Sequence, residues 1–216
     1  MGASSKIVDL RGLLAERFPS PRLSAQSRLE TGLAALDATT DGGLPKGAIT
    51  ELSSPNLSAG SAHLIYQLLQ AAVLGRYCVA LIDGRDSFDP QPLGQARLSQ
   101  LLWVRCRKAV DAVKAADLLL RDGNFPLVLL DLVLNPVEEL RKIPSASWYR
   151  LQRLVEPAPT ALLVLTRRSM ISSAHWKLAL KNSWQLADLE REGNDARLNF
   201  AVQRSYGARH ELAETG

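Results

Sequence analysis

The chain reads as an α/β protein with a mostly parallel central sheet, and three observations carry that reading. Apolar runs of strand length recur at YCVALID, PLVLLDLVL and TALLVLT, with helical patterns between them. Runs that are apolar on both faces suit strands buried inside a parallel sheet, and the helices between them supply the crossovers such a sheet needs. The stretch from Gly42 to Leu64, GGLPKGAITELSSPNLSAGSAHL, orders turn, short strand, glycine- and serine-bearing loop and helix start, which is how a phosphate-binding loop is built. Near the end, WQLADLEREGNDARLNFAVQRSYG alternates apolar and polar residues on both sides of Gly193-Asn194, a hairpin signature that adds antiparallel strands.

Taken in order, residues 5–18 place Ile7, Leu10, Leu14 and Phe18 on one helical face, and Pro19 and Pro21 end the helix. A proline- and serine-rich linker follows, so residues 1–28 read either as a mobile arm available for assembly or as a helix on the domain's own surface. The core is expected over 29–207, with 208–216 as a flexible tail. Within it, a short helix covers Ala34 to Asp37, Gly42-Gly43 makes a turn, and a strand runs from Ala48 to Leu52. The helix after Gly60 buries Leu64, Leu68, Ala71 and Ala72, with Gly75 as its cap. YCVALID ends in Asp83; residues 93–102 read as a weak helix passing into a short strand, and Ala109–Arg121 as a strong helix. PLVLLDLVL, with eight apolar residues and Asp131, is the strongest strand pattern. Trp148–Val155 reads as a helix capped by Ser145 or Ser147, residues 160–166 as a buried strand, and Ser169–Leu180 as loop then helix.

The size, 216 residues at 46% hydrophobic and 22% charged, suits one domain with a sizeable core. Two cysteines, Cys78 and Cys106, make neither a disulfide framework nor a zinc set, and a reducing cytoplasm fits best. No continuous apolar segment of spanning length is present, so a membrane role is not expected. The net charge of +4 is unevenly spread: residues 1–140 carry 14 basic and 15 acidic side chains, 141–182 carry 8 and 1, and 183–216 carry 4 and 6. The basic third faces an acidic partner in the simplest reading.

The loop's geometry is that of a phosphate site and its chemistry is not. A P-loop needs Lys for the β/γ oxygens and Ser/Thr for Mg²⁺, and no lysine lies between Lys46 and Lys108. Ser54, Ser58, Gly60 and Ser61 form a vestigial loop, and Asp131, closing PLVLL, stands where a Walker B acid would hold the metal; the same carboxylate also suits a loop hydrogen bond. Asp83-Gly84-Arg85-Asp86 lies at the same sheet edge, with Arg85 expected to pair with Asp83, Asp86 or Asp89. His63, His175 and His210 are too scattered for a metal site, and there is no G-x-S-x-G elbow for a hydrolase. Arg167, Arg168, Lys177 and Lys181 are candidate nucleic-acid or partner contacts. With Trp148, Trp176 and Trp184 they make either an aromatic-plus-cation surface for single strands or a solvated basic face over core tryptophans.

The pieces TG-x-x-x-LD and GGLP-x-G in TGLAALDATTDGGLPKGAITEL, then ID-x-x-x-x-x-DP from Ile82 to Pro90 and PLVLLDLVL, together resemble the RecA recombinase core over about residues 30–170. That resemblance implies a RecA-like P-loop-type core with a mostly parallel sheet, a C-terminal β-hairpin and an N-terminal helical arm. Aligned with a one-residue insertion, the family's P-loop Lys and Thr fall on Ser61 and Ala62, its catalytic glutamate on Arg85, and its nucleotide-sensing Asn-Gln pair on Thr166-Arg167. Its Lys and Arg near the final hairpin fall within Gln203-Arg204-Ser205-Tyr206. The resemblance, with these departures, implies a pseudo-ATPase with no catalytic residue, cofactor or metal.

Among degenerate RecA-like proteins the chain is most similar to the bacterial ImuA family, through LLAERFP and GLPKGAITEL. This implies an adaptor in damage-induced mutagenesis and translesion synthesis within the SOS response, partnered by a polymerase-like ImuB subunit and by RecA. Weak DNA binding and self-association are further expectations. SulA, the inhibitor of FtsZ and cell division, is a second relative, and a DNA-binding regulator of recombinase filaments is a third reading.

Overall fold

The computed structural model describes residues 28–56, 59–184 and 198–205. The expected N-terminal helix with Ile7, Leu10, Leu14 and Phe18, Ser58 of the loop, the whole segment between Trp184 and Leu198, and the 208–216 tail lie outside them. Nine strands are described: β1 Arg28–Leu29, β2 Leu44–Pro45, β3 Ala48–Ser53, β4 Val79–Asp83, β5 Leu101–Arg105, β6 Leu127–Asp131, β7 Ala161–Thr166, β8 Trp176–Leu180 and β9 Phe200–Ser205. The described helices are α1 Ala34–Thr39, α2 Ser61–Gly75, α3 Gln95–Ser99, α4 Ala109–Asp122, α5 Val137–Arg141 and α6 Ser145–Val155.

Seven strands form one sheet in the order β5-β4-β6-β7-β3-β8-β9, and β1 and β2 make a separate antiparallel pair. All neighbours in the large sheet are parallel except β8 and β9. This is the expected mostly parallel α/β core with an antiparallel terminal hairpin. The strand alternation sorts the side chains cleanly. Ile49, Ala80, Ile82, Val128, Leu130, Leu162 and Val164 face the layer containing α4 and α6. Leu52, Val79, Leu81, Leu127, Leu129, Leu163 and Leu165 face the layer of α1 and α2. Residues Leu127 to Leu130 are each fully buried, so the central strand offers about 1.5–3 kcal/mol per side chain to the core.

Several local expectations are corrected. The segment expected to end in a helix by Leu180 is instead β8, because HWKLALK can alternate as well as spiral, and its edges are taken up by β3 on one side and β9 on the other. In the described residues β9 pairs antiparallel with Trp176–Leu180, while the Gly193-Asn194 turn and the arm expected before it lie outside them. Helix α2 runs through Gly75 and is capped by Arg76 in the left-handed region, at φ 53°, its N–H donating to Ala72 O and Val73 O. Gly75 serves packing instead, since a Cβ there would lie 2.8 Å from the ring of Tyr77. Helix α6 starts after Pro144, without a serine side-chain cap, and α5 was not expected.

Candidate functional site

The carboxyl ends of β3, β4, β6 and β7 share one edge of the sheet, which gathers the loop after β3, Asp83, Asp131 and the residues after Thr166. In open parallel sheets this is the edge where ligands bind. The parts assembled there are mostly engaged with one another.

Ser54 leaves β3 with its N–H donating to Thr166 O at 2.7 Å and its hydroxyl donating to Asn56 O at 3.1 Å. Gly60 caps α2 at φ 94°, where its carbonyl accepts the Leu64 N–H at 2.9 Å. Only glycine fits there on two counts. The backbone lies in the left-handed region, and a Cβ would stand 2.8 Å from Trp184 Cη2 and 2.9 Å from Leu198 Cδ2. Trp184 also meets His63 edge-on at 5.5 Å, and burial pushes the His63 imidazolium down toward the neutral form. The start of α2 therefore carries an indole and a leucine against it. Ser61 is half-buried and Ala62 exposed at its first two positions.

Asp83 is buried and devoted to its own loop. Its carboxylate accepts the N–H groups of Arg85 at 3.2 Å, Ser87 at 2.7 Å and Phe88 at 2.8 Å. Asp131 stands directly beside it in register on β6. Desolvation pushes the Asp131 carboxyl up to about 6; the Val133 N–H, donating at 3.0 Å, opposes this and the Asp83 charge adds to it. Arg85 does not pair with Asp83, Asp86 or Asp89 as expected. Asp86 is taken by Arg105 at 2.5 Å, while the Arg85 guanidinium donates to Arg107 O at 3.2 Å and faces Glu139 at 3.7 Å. The Arg85 guanidinium is thus turned toward Glu139 of α5.

Sequence reasoning did not single out Glu51. It is fully buried on β3, and its carboxylate accepts the Met170 N–H at 2.6 Å, the Ile171 N–H at 3.1 Å and the Ser169 hydroxyl at 2.9 Å. Lys177 lies 3.5 Å from it and also donates to Ser169 Oγ at 3.1 Å. This fastens the loop after β7 to β3, the strand that leads into Ser54.

The four candidate cations are consequently not one patch. Lys177 is turned inward to Glu51, Lys181 is exposed at the far end of β8, and Arg167 and Arg168 line a groove with Arg141. Trp148 and Trp176 are core residues on opposite faces of the sheet. Among the described residues, no group of three or more His, Cys, Asp or Glu is arranged to hold a metal ion, and no helix is long and apolar enough to cross a membrane.

No family model matches the chain. It is similar to the RecA protein of Acinetobacter baylyi, at 32% identity over 160 residues, 71% of this chain and 45% of that protein. RecA of Methylococcus capsulatus is 32% identical over 148 residues, 65% of this chain and 42% of its own length, and RecA of Frankia alni is 30% identical over 108 residues, 49% and 31% respectively. The chain thus spans less than half the length of these curated relatives. With its mostly parallel sheet, the protein has a RecA-like α/β core.

Proposed function

We propose that this chain is a non-catalytic accessory protein of the bacterial DNA-damage response, an ImuA-like adaptor in damage-induced mutagenesis and translesion synthesis. The likeness to RecA supports a recombinase-related setting. The observation that carries the adaptor role is the cover over the loop: Trp184 and Leu198 lie against Gly60, at the helix start where the family's lysine would follow and where this chain has Ser61. A phosphate bound there would compete with an indole and lack its lysine, and no glutamate stands at Arg85 to orient a water. What the fold retains is a rigid sheet with exposed, charged loops, suited to holding other proteins. A polymerase-like ImuB-type subunit, RecA itself and a second copy of the chain are the partners this role implies, and it requires no cofactor.

The test uses purified full-length protein. ATP turnover should stay at the level of a buffer blank, and a tagged chain should recover a polymerase-like subunit from DNA-damaged cells. Hydrolysis that disappears in Asp131→Asn would overturn the proposal.

A further inference from the structure

The groove beside the loop after β7 sets three arginines around an apolar floor that is the outer edge of the core. It encloses about 270 Å³ between α5, α6 and that loop, and its lining includes the apolar Leu140, Ile143, Trp148 and Met170. Arg141, Arg167 and Arg168 supply its charges and no carboxylate lines it. Arg168 and Arg141 are exposed and Arg167 half-buried, and among the described residues no side-chain hydrogen bond or ion pair engages the three guanidinium groups. Elsewhere the protein pairs its arginines readily, as Arg105 with Asp86 and Arg150 with Asp117 show. The groove also lies in the segment 141–182, where 8 basic side chains face 1 acid.

From this we infer that the groove docks a short acidic peptide segment of a partner protein, with an aliphatic side chain seated on the apolar floor and carboxylates on the arginines. Guanidinium forks suit bidentate carboxylates, and an apolar floor with a charged rim is the anatomy of a peptide anchor site. The volume falls below the roughly 300–1,000 Å³ of small-molecule sites and suits an anchoring side chain. Single-stranded nucleic acid fits less well. Stacking needs an open aromatic face, whereas Trp148 is only 2% exposed. A basic track along the sheet edge is interrupted as well, because Lys177 is neutralised by Glu51. The inference rests on the adaptor reading, whose partner it describes chemically.

The experiment is a fluorescence-anisotropy titration of the full chain with labelled nine-residue peptides. One alternates glutamate with leucine, a second replaces every glutamate by glutamine, and a third replaces every leucine by serine; a twelve-residue oligo-dT is the fourth probe. The first peptide should bind with a Kd of about 10–100 µM, and the second and third at least about tenfold more weakly. Arg167→Ala with Arg168→Ala should weaken the first peptide at least about tenfold without moving the Tm, while Arg153→Ala, outside the groove, should leave it unchanged. Equal binding of all three peptides, indifference to the two arginines, or oligo-dT binding tighter than the first peptide and lost with the same arginines would overturn the assignment. ATP hydrolysis by the chain would end the adaptor reading but leave this titration standing, and a failed titration would leave the ATPase and pull-down results standing.

Discussion

Asp83 and Asp131 end neighbouring strands in register, yet their surroundings treat them oppositely: Asp83 collects three backbone N–H groups and Asp131 only one. The consequence is a pH dependence with a definite sign. The Asp131 carboxyl is raised from its ordinary 3.8 to about 6, so the native state holds that proton more tightly than the unfolded chain does. Stability from this group is complete below about 3.8 and lost as pH rises through about 6. Asp131→Asn keeps an oxygen for the Val133 N–H and removes the repulsion from Asp83. Urea denaturation should find the variant equal to wild type near pH 4 and about 1–2 kcal/mol more stable at pH 7.5, the figure allowing for partial solvent access at the sheet edge. A variant less stable at pH 7.5 would mean that a charged Asp131 is held by something favourable. Both acids were legible, because an acid closing an apolar run lands at the carboxyl edge of a sheet. Glu51 was not, since Ser169, Met170 and Ile171 lie about 120 residues away along the chain and no local pattern announces them. The TG-x-x-x-LD piece also has a physical cause only the structure exposes: the Asp37 carboxylate accepts the Thr31 hydroxyl at 2.7 Å and the Gly32 N–H at 3.1 Å.

At the scale of elements, the start of α2 decides what the loop can do. Gly60→Ala places a methyl within 3 Å of Trp184 and Leu198 and puts a side chain at positive φ. The expected loss is about 1–3 kcal/mol, from overpacking and backbone strain. If the indole lies over the helix start as described, Trp184→Ala relieves part of that cost, and the double variant should lose less than the sum of the singles, by about 0.5 kcal/mol or more. Strict additivity in the double-mutant cycle would place the ring elsewhere. The strands β4, β6 and β7 were legible because buried parallel strands are nearly uniform in hydrophobicity, and α4 because its apolar spacing is strictly helical. β8 is not legible as a strand, for the converse reason. Trp-Lys-Leu-Ala-Leu is short, rich in good helix formers, and acquires its identity only from neighbours distant in sequence.

On the scale of the whole molecule, the order of strand and helix patterns along the chain was enough to announce the α/β class, whereas the strand order in space required the pairing itself. The two faces of the sheet are covered by different helices, one by α1 and α2 and the other by α4 and α6. The amphipathic pattern at Ile7, Leu10, Leu14 and Phe18 precedes this core and is joined to it by a stretch with two prolines and three serines. An apolar stripe of that kind is a liability unless covered, and contiguous apolar surface usually marks a contact. Burying four such side chains against another molecule offers about 6–10 kcal/mol before ordering costs, enough for a specific, reversible association. Removing residues 1–20 separates that role from a place in the chain's own core. An assembly arm predicts an unchanged Tm together with loss of self-association or partner binding in light scattering and pull-down. A core helix predicts a large fall in Tm, because losing four buried apolar side chains removes a substantial part of the 5–15 kcal/mol on the order of which a domain this size is stable. The arm reading fails if the shortened chain is monomeric and much less stable while the full-length chain is also monomeric.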